Sequence, residues 1–241
     1  MKARGIFVTG TDTGAGKTLV SCAILRALSR RGLRVAAFKP VETGCRDDGG
    51  ELVGEDCERL AVAAQSGQNA RDVAAYLLRE PAAPLVAAEA EGVTIDRAVL
   101  LRRFEAIAGA ADFVLVESAG GLIVPIARGY TTRDLARELG LAAVCVVASR
   151  LGCISHALLT LEVLASSGIP VAGYVMNEIG GDAAHTLALR TNRETIRRFA
   201  AAADLGAMPP IPVAARDDFE NLALLAESHL QLDALLQAGR L

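Results

Sequence analysis

Arg4-Gly-Ile-Phe-Val-Thr9 runs directly into Gly10-Thr-Asp-Thr-Gly-Ala-Gly-Lys17-Thr18. The first part carries Ile6, Phe7 and Val8, a β-prone apolar run. The second is a glycine-rich turn. Behind it Leu19, Val20, Ala23, Ile24, Ala27 and Leu28 recur at helical spacing. Strand, turn and helix in that order suit a phosphate. The N–H groups of such a turn form a concave nest. The helix N-terminus adds unpaired N–H groups and a partial positive charge. Lys17 is placed to reach terminal phosphates, and the Thr18 hydroxyl to ligate Mg2+.

The spacing departs from the common P-loop pattern G-x-x-x-x-G-K-[ST], because five residues separate Gly10 from Gly16. The loop is one residue longer than the common form, or it begins on Thr11. A glycine-rich turn with no ligand is the plainer alternative. Gly-Lys-Thr between a strand and an amphipathic helix favours phosphate.

The 241 residues are 52% hydrophobic but only 4% aromatic, so the core must be assembled from Ala, Leu, Val and Ile. That length can bury a sizeable core. No linker or internal repeat divides it, so residues 1–241 are expected to form one domain. The net charge is −3 with mixed signs. Arg102-Arg103 and Arg197-Arg198 are short basic pairs on helical stretches, with no aromatics interleaved, which argues against a nucleic-acid partner. No apolar run approaches transmembrane length, and no basic-then-apolar leader precedes the first strand. The five cysteines are scattered without a C-x-x-C pair, and the three histidines lie far apart. A zinc site or disulfide framework is therefore not expected. The expectation is a reduced, cytoplasmic protein that binds neither membrane nor nucleic acid.

Apolar strands at Ile6–Thr9, Val35–Lys39, Phe113–Glu117, Val144–Ala148 and Val171–Met176 alternate with helical stretches. The helices are expected over Lys17–Arg31, Cys57–Ala64, Arg97–Ala108, Thr132–Leu139 and Ser155–Ser167. Continuously apolar strands suit a parallel sheet covered on both faces. The alternation predicts an α/β fold: a doubly wound, mostly parallel sheet with helices on both faces. Ligands of such sheets sit beyond the carboxyl ends of the strands. Here those ends are Thr9-Gly10, Lys39-Pro40, Glu117-Ser118, Ser149-Arg150 and Asn177. Cys45–Gly54 reads as a polar, mobile loop, Pro209-Pro210-Ile211-Pro212 as a rigid extended segment, and Phe219–Gln237 as one final helix.

Two strand ends carry further chemistry. Phe113-Val-Leu-Val-Glu117 resembles a Walker-B strand, whose acid holds Mg2+ directly or through water. Ser118-Ala119-Gly120-Gly121 then lets the backbone turn closely around a ligand. Lys39 ends a buried strand and either snorkels to solvent or points beside the phosphates. Thr43 and Gly44 follow it in a turn.

Gly10-Thr-Asp-Thr-x-x-Gly-Lys-Thr18, Lys39-Pro-Val-x-Thr-Gly44, Val116-Glu-x-Ala-Gly-Gly121 and Leu151-Gly-Cys-Ile-x-His156 occur in this order. Together they resemble the dethiobiotin synthetase family, ATP-dependent ligases of biotin synthesis with a P-loop NTPase-like fold. The long loop is itself a trait of that family. The likeness runs from the first strand to Asn177 and, more weakly, to Pro209-Pro210.

The resemblance implies closure of a cyclic urea on 7,8-diaminopelargonate with CO2 (or bicarbonate) and ATP, through a carbamate and a carbamic–phosphoric anhydride. Lys17, Lys39 and Thr13 would be catalytic. Thr11, Asp12, Thr13, Gly14, Ala15, Gly16, Lys17, Thr18, Glu117, Asn177, Pro209 and Pro210 would bind ATP. Thr18, Asp56 and Glu117 would hold Mg2+. The alternatives, weaker than this role, are that Asp56 is an ordinary helix N-cap or that Glu55 takes its place. Thr43, Lys39, Ala119 and Gly120 would meet the substrate. The N–H groups of Gly152, Cys153 and Ile154, with Ser155, would hold the substrate's distant carboxylate across a homodimer interface. A nucleophilic role for Cys153 is the weaker alternative.

Several positions depart from the family pattern. Gly14 stands where an acidic residue occurs in some members, Thr43 where serine is common, Arg150 for lysine and Ser155 for asparagine. These bear on substrate positioning rather than on reaction class. A partitioning or septum-site type ATPase is the rival reading. Such proteins carry an additional lysine early in the loop, where this chain has Thr11 and Asp12.

Overall fold

The computed structural model describes residues 4–178 and 187–240. Seven strands form one parallel sheet: β1 (Gly5–Gly10), β2 (Val35–Thr43), β5 (Ala74–Leu78), β6 (Phe113–Gly121), β9 (Ala142–Ser149), β10 (Val171–Glu178) and β11 (Asp204–Met208). Their order across the sheet is β11-β10-β9-β1-β6-β2-β5. β1 therefore lies in the middle, with Val8 paired to Glu117 on one side and to Val144 on the other. This places the glycine-rich turn at the carboxyl edge of a central strand.

The period-two alternation of strands splits the core into two layers. Ile6, Val8, Leu115, Val144 and Val146 pack beneath α1 (Lys17–Arg30), α2 (Glu55–Ala64), α9 (Phe219–His229) and α10 (Leu232–Ala238). Phe7, Phe38, Val116, Cys145 and Val147 face α5 (Arg97–Gly109), α6 (Thr132–Leu139), α7 (Cys153–Ser166) and α8 (Leu187–Phe199). The doubly wound parallel sheet expected from the sequence is what the chain forms. The first helix is buried more completely than an amphipathic surface helix, because α2 and α9 cover its outer side, and Ser21 and Arg26 are buried with the apolar residues.

Some expectations are corrected. Cys45–Gly54 is an ordered antiparallel hairpin, β3 (Arg46–Asp48) and β4 (Glu51–Val53), rather than a loop. Gly49 and Gly50 both take positive φ (65° and 93°), which a two-residue hairpin turn needs. The Gly50 N–H donates to Asp47 Oδ1 at 2.7 Å. Phe219–Gln237 is two helices, α9 and α10, because Leu230 turns extended and bridges to Gly206 of β11. β5, β11, α3 (Ala70–Val73), α4 (Pro84–Ala90), α8 and the short hairpin β7 (Pro125–Ala127) and β8 (Tyr130–Thr131) are additional elements. Among the described residues no helix is long and apolar enough to cross a membrane.

Candidate active site

The turn after β1 is held by glycine geometry. Gly14 and Gly16 adopt left-handed φ of 82° and 86°, which a side chain would strain. Gly16 is also the N-cap of α1. Asn177, at the end of β10, lies against it: the Asn177 Nδ2 donates to the Ala15 carbonyl at 3.1 Å. The buried Lys17 Nζ reaches back across the turn and donates to the Asp12 carbonyl at 3.1 Å. Burial lowers the Lys17 pKa, with Glu117 opposing that shift. The Asp12 carboxylate pairs with Arg150.

A charge cluster stands beside this turn. Glu117, wholly buried on β6, accepts from the Thr18 hydroxyl at 2.9 Å and from Lys39 Nζ at 2.9 Å, both on Oε1. Lys39 also pairs with Asp56 from the first turn of α2. Burial alone would pull the Lys39 pKa down, but Glu117 and Asp56 hold the ammonium above its ordinary range. For Asp56 burial works upward and is outweighed by Lys39 and Thr18, so its carboxyl titrates below the usual value. Lys39 thus turns inward rather than snorkelling, and Asp56, not the exposed Glu55, joins the cluster.

The arrangement fits a hard divalent cation. Glu117 Oε2 is buried without a hydrogen-bond partner, and the Thr18 hydroxyl lies within hydrogen-bond reach of both Glu117 and Asp56. Among the described residues no three His, Cys, Asp or Glu side chains form a metal site by themselves. Mg2+ here would complete its oxygen shell with phosphate and water, as it commonly does.

One cavity of about 650 Å³ unites most of the residues expected from the sequence. Thr13, Gly14, Gly16, Lys17, Thr18, Lys39, Thr43, Asp56, Ala119, Gly120 and Asn177 all line it. Ala15 is buried beneath the turn. Thr11 instead borders a smaller cavity beside His156. Pro209 and Pro210 follow β11 but do not line the main cavity; Arg216 does. Gly152, Ile154 and Ser155 line a separate cavity between α7 and α8. Cys153 is buried below it as the first residue of α7, and its N–H already donates to the Arg150 carbonyl at 3.1 Å. The row of three free N–H donors expected there is therefore not intact. Burial also pushes the Cys153 thiol pKa up, the reverse of an activated nucleophile.

Glu42, Arg59, Val41, Val124, Arg216 and the Pro81–Pro84 turn line the main cavity without having been singled out from sequence. Glu42 lies inside the quoted Lys39–Gly44 motif, and a charged residue amid a buried strand was the available signal. Arg59 and Arg216 carried none.

Comparison with known proteins places this geometry. Residues 4–217 match the AAA domain family. The ATP-dependent dethiobiotin synthetase BioD of Aromatoleum aromaticum is 44% identical over 208 residues, covering 86% of this chain and 91% of that protein. The protein of the same name from Ralstonia nicotianae is 40% identical, covering 95% and 96% of the two chains. Its namesake from Thermodesulfovibrio yellowstonii is 35% identical, covering 98% and 99%. Among solved structures, the MinC:MinD cell division complex of Aquifex aeolicus aligns with a TM-score of 0.54 at 17% identity, over 99% of this chain and 95% of that one. The septum-site-determining protein MinD of Pyrococcus horikoshii, solved with Mg-ADP, aligns with a TM-score of 0.54 at 16% identity, over 98% and 94%. The structural likenesses establish the P-loop NTPase fold, and the sequence identities are specific enough to go further: the chain belongs to the ATP-dependent dethiobiotin synthetase family.

Proposed function

We propose that this chain closes the cyclic urea of dethiobiotin on 7,8-diaminopelargonate, using CO2 and ATP and releasing ADP and phosphate. The observation that carries the reading is the convergence of two buried lysines, Lys17 from the phosphate loop and Lys39 from β2, on one cavity. A nucleotide switch needs the first lysine. The second, in a cavity that Thr43 and Gly120 also line, suits another substrate beside the γ-phosphate.

The chemistry asks the protein for alignment and positive charge rather than for a covalent intermediate. The N7 amine adds to CO2, forming a carbamate and losing a proton. A carbamate oxygen attacks the γ-phosphorus as the bond to the β-phosphate oxygen breaks, and ADP leaves. The N8 amine then attacks the carbamoyl carbon and gives up a proton, the carbon–oxygen bond breaks, and phosphate departs, carrying that proton or passing it to water, with the ring closed. Lys17 and Lys39 balance charge on the transferring group. Thr13 donates to its oxygens, and Thr43 contacts the carbamate-bearing end. Mg2+, held by Thr18, Asp56 and Glu117, would neutralise phosphate charge when bound. Asn177, at the loop's back, would meet the adenine.

The active unit in this reading is a homodimer, with Gly152, Cys153, Ile154 and Ser155 of a second copy near the substrate's distant carboxylate. Its support is that Gly152, Ile154 and Ser155 line a cavity sharing no residue with the first, together with exposed Leu151 and Leu159. Full activity in a species that sediments only as a monomer would refute it. The five buried, unpaired cysteines support a reducing, cytoplasmic setting. The switch-ATPase alternative rests on fold likeness alone, at 16–17% identity.

Protein incubated with MgATP, bicarbonate and the diamine should yield dethiobiotin and ADP in equal amounts by mass spectrometry. ATP turnover indifferent to the diamine would overturn the ligase reading.

A further inference from the structure

The helix that carries Asp56 has no cap of its own. Its N-cap is Gly54, which offers no side chain, and the first N–H groups of any helix need partners. Glu42, from β2, supplies them. Its Oε1 accepts from the Asp56 N–H at 2.9 Å and its Oε2 from the Cys57 N–H at 2.9 Å. These are the second and third positions of the helix, the same two that a local N-cap side chain would serve. Glu42 is 6% exposed and forms part of the cavity wall. A buried acid is costly unless its oxygens are paired, and here both are, at the positive end of a helix.

Gly54 bears this out. Its backbone is extended (φ −92°, ψ 123°) and open to any residue. A Cβ there would stand 2.2 Å from Glu42 Oε2 and 2.4 Å from its Cδ. Glycine is needed at this position for the approach of the carboxylate, not for the turn of the chain.

We infer that Glu42 is a positioning residue: it fastens the first turn of α2 to β2 and so fixes Asp56 against Lys39 and Thr18. Lys39 lies three residues before Glu42 on the same strand, so one short segment sets both partners of the ion pair. The inference rests on the reading of Thr18, Asp56 and Glu117 as the Mg2+–nucleotide site.

The test measures ATP binding by calorimetry as a function of Mg2+, without diamine, alongside the melting temperature. The variants are Glu42→Gln, Glu42→Ala, Gly54→Ala and the double variant Glu42→Ala/Gly54→Ala. Loss of such an indirect support should raise the Mg2+ concentration for half-maximal binding about tenfold in Glu42→Ala. Gly54→Ala should do the same, and Glu42→Gln, which keeps one acceptor, should fall between. In the Glu42→Ala background the added methyl has room, so Gly54→Ala should cost nothing further, a departure from additivity expected of touching groups. A Mg2+ requirement within about twofold of the parent in both single variants, whatever their melting temperatures, would overturn the inference. So would a Gly54→Ala cost that persists undiminished without Glu42. ATP binding indifferent to Mg2+ in the parent protein would instead remove the site reading, and the inference with it.

Discussion

The Lys39 ammonium donates to Glu117 Oε1 at 2.9 Å across 78 residues of sequence, joining the middle of β2 to the middle of β6. The two strands pair only as far as Phe38 and Val116, so this ion pair continues their contact at the edge where the cavity opens. Glu117 is 0% exposed, and its charge has no water to fall back on. Lys39→Met should therefore destabilise the fold by about 3–5 kcal/mol. Adding Glu117→Gln to that variant should recover part of the loss, because the uncompensated charge goes with it. Urea unfolding of the two single variants and the double variant measures this; strictly additive losses would contradict the pairing.

Gly14 and Gly16 share a left-handed backbone but differ in surroundings. A Cβ on Gly14 meets nothing within 4 Å, whereas on Gly16 it lies 2.0 Å from Asn177 Nδ2. Gly14→Ala should cost only backbone strain, about 1 kcal/mol, and retain ATP binding. Gly16→Ala should displace Asn177 and abolish ATP binding. Equal affinities in the two variants, read by nucleotide titration, would be incompatible with Asn177 as the clamp on the loop.

Much of this site was legible in the sequence, and its gaps have physical causes. The phosphate loop, Lys39, Thr43 and Glu117 were legible because a parallel sheet gathers the carboxyl ends of its strands on one edge whatever their order, although β2 and β6 run on to Thr43 and Gly121, past the ends read at Lys39 and Glu117. Thr132–Leu139 has the same bounds in sequence and structure, and the Thr131–Asp134 capping box explains why. Ala74–Leu78 and Asp204–Met208 are short edge strands whose apolar runs do not differ from helix fragments. The break at Leu230 lies within an unbroken leucine pattern; contact with Gly206, remote in sequence, makes it. Glu42 caps a helix from a different element, a relation that no local spacing encodes.

Cys153 separates the two roles considered for the Leu151–Ser155 segment. Its thiol is buried, and burial raises its pKa. Cys153→Ala should keep kcat within a few-fold of the parent, with any change confined to the KM for the diamine. A loss of kcat of about a thousandfold, the scale of a removed nucleophile or base, would restore the nucleophile reading.

At the opposite edge of the sheet, Arg34 grips Asp112 through Nε and Nη2, and the Arg34 N–H also donates to the same carboxylate. These hydrogen bonds hold the Asp112 carboxyl down at about 2, against roughly 3.9 for a free aspartate. A depressed acid contributes stability above its unfolded pKa and loses it as pH falls through the folded value. The contribution is thus complete by about pH 5 and fades toward pH 2. Carbon NMR titration should show Asp112 moving up toward the free value in Arg34→Ala. An unmoved titration would assign the shift to another cause.

The central claim is that the γ-phosphate activates an oxygen that came from CO2, and only when the diamine is present. Turnover with heavy-oxygen-labelled CO2 and unlabelled ATP, quenched before exchange with water and read by mass spectrometry, tests it directly. The account predicts one labelled oxygen in the released phosphate, one in the ureido carbonyl of dethiobiotin, and no labelled phosphate without the diamine. Dethiobiotin formed with wholly unlabelled phosphate, or labelled phosphate released in the diamine's absence, would contradict it.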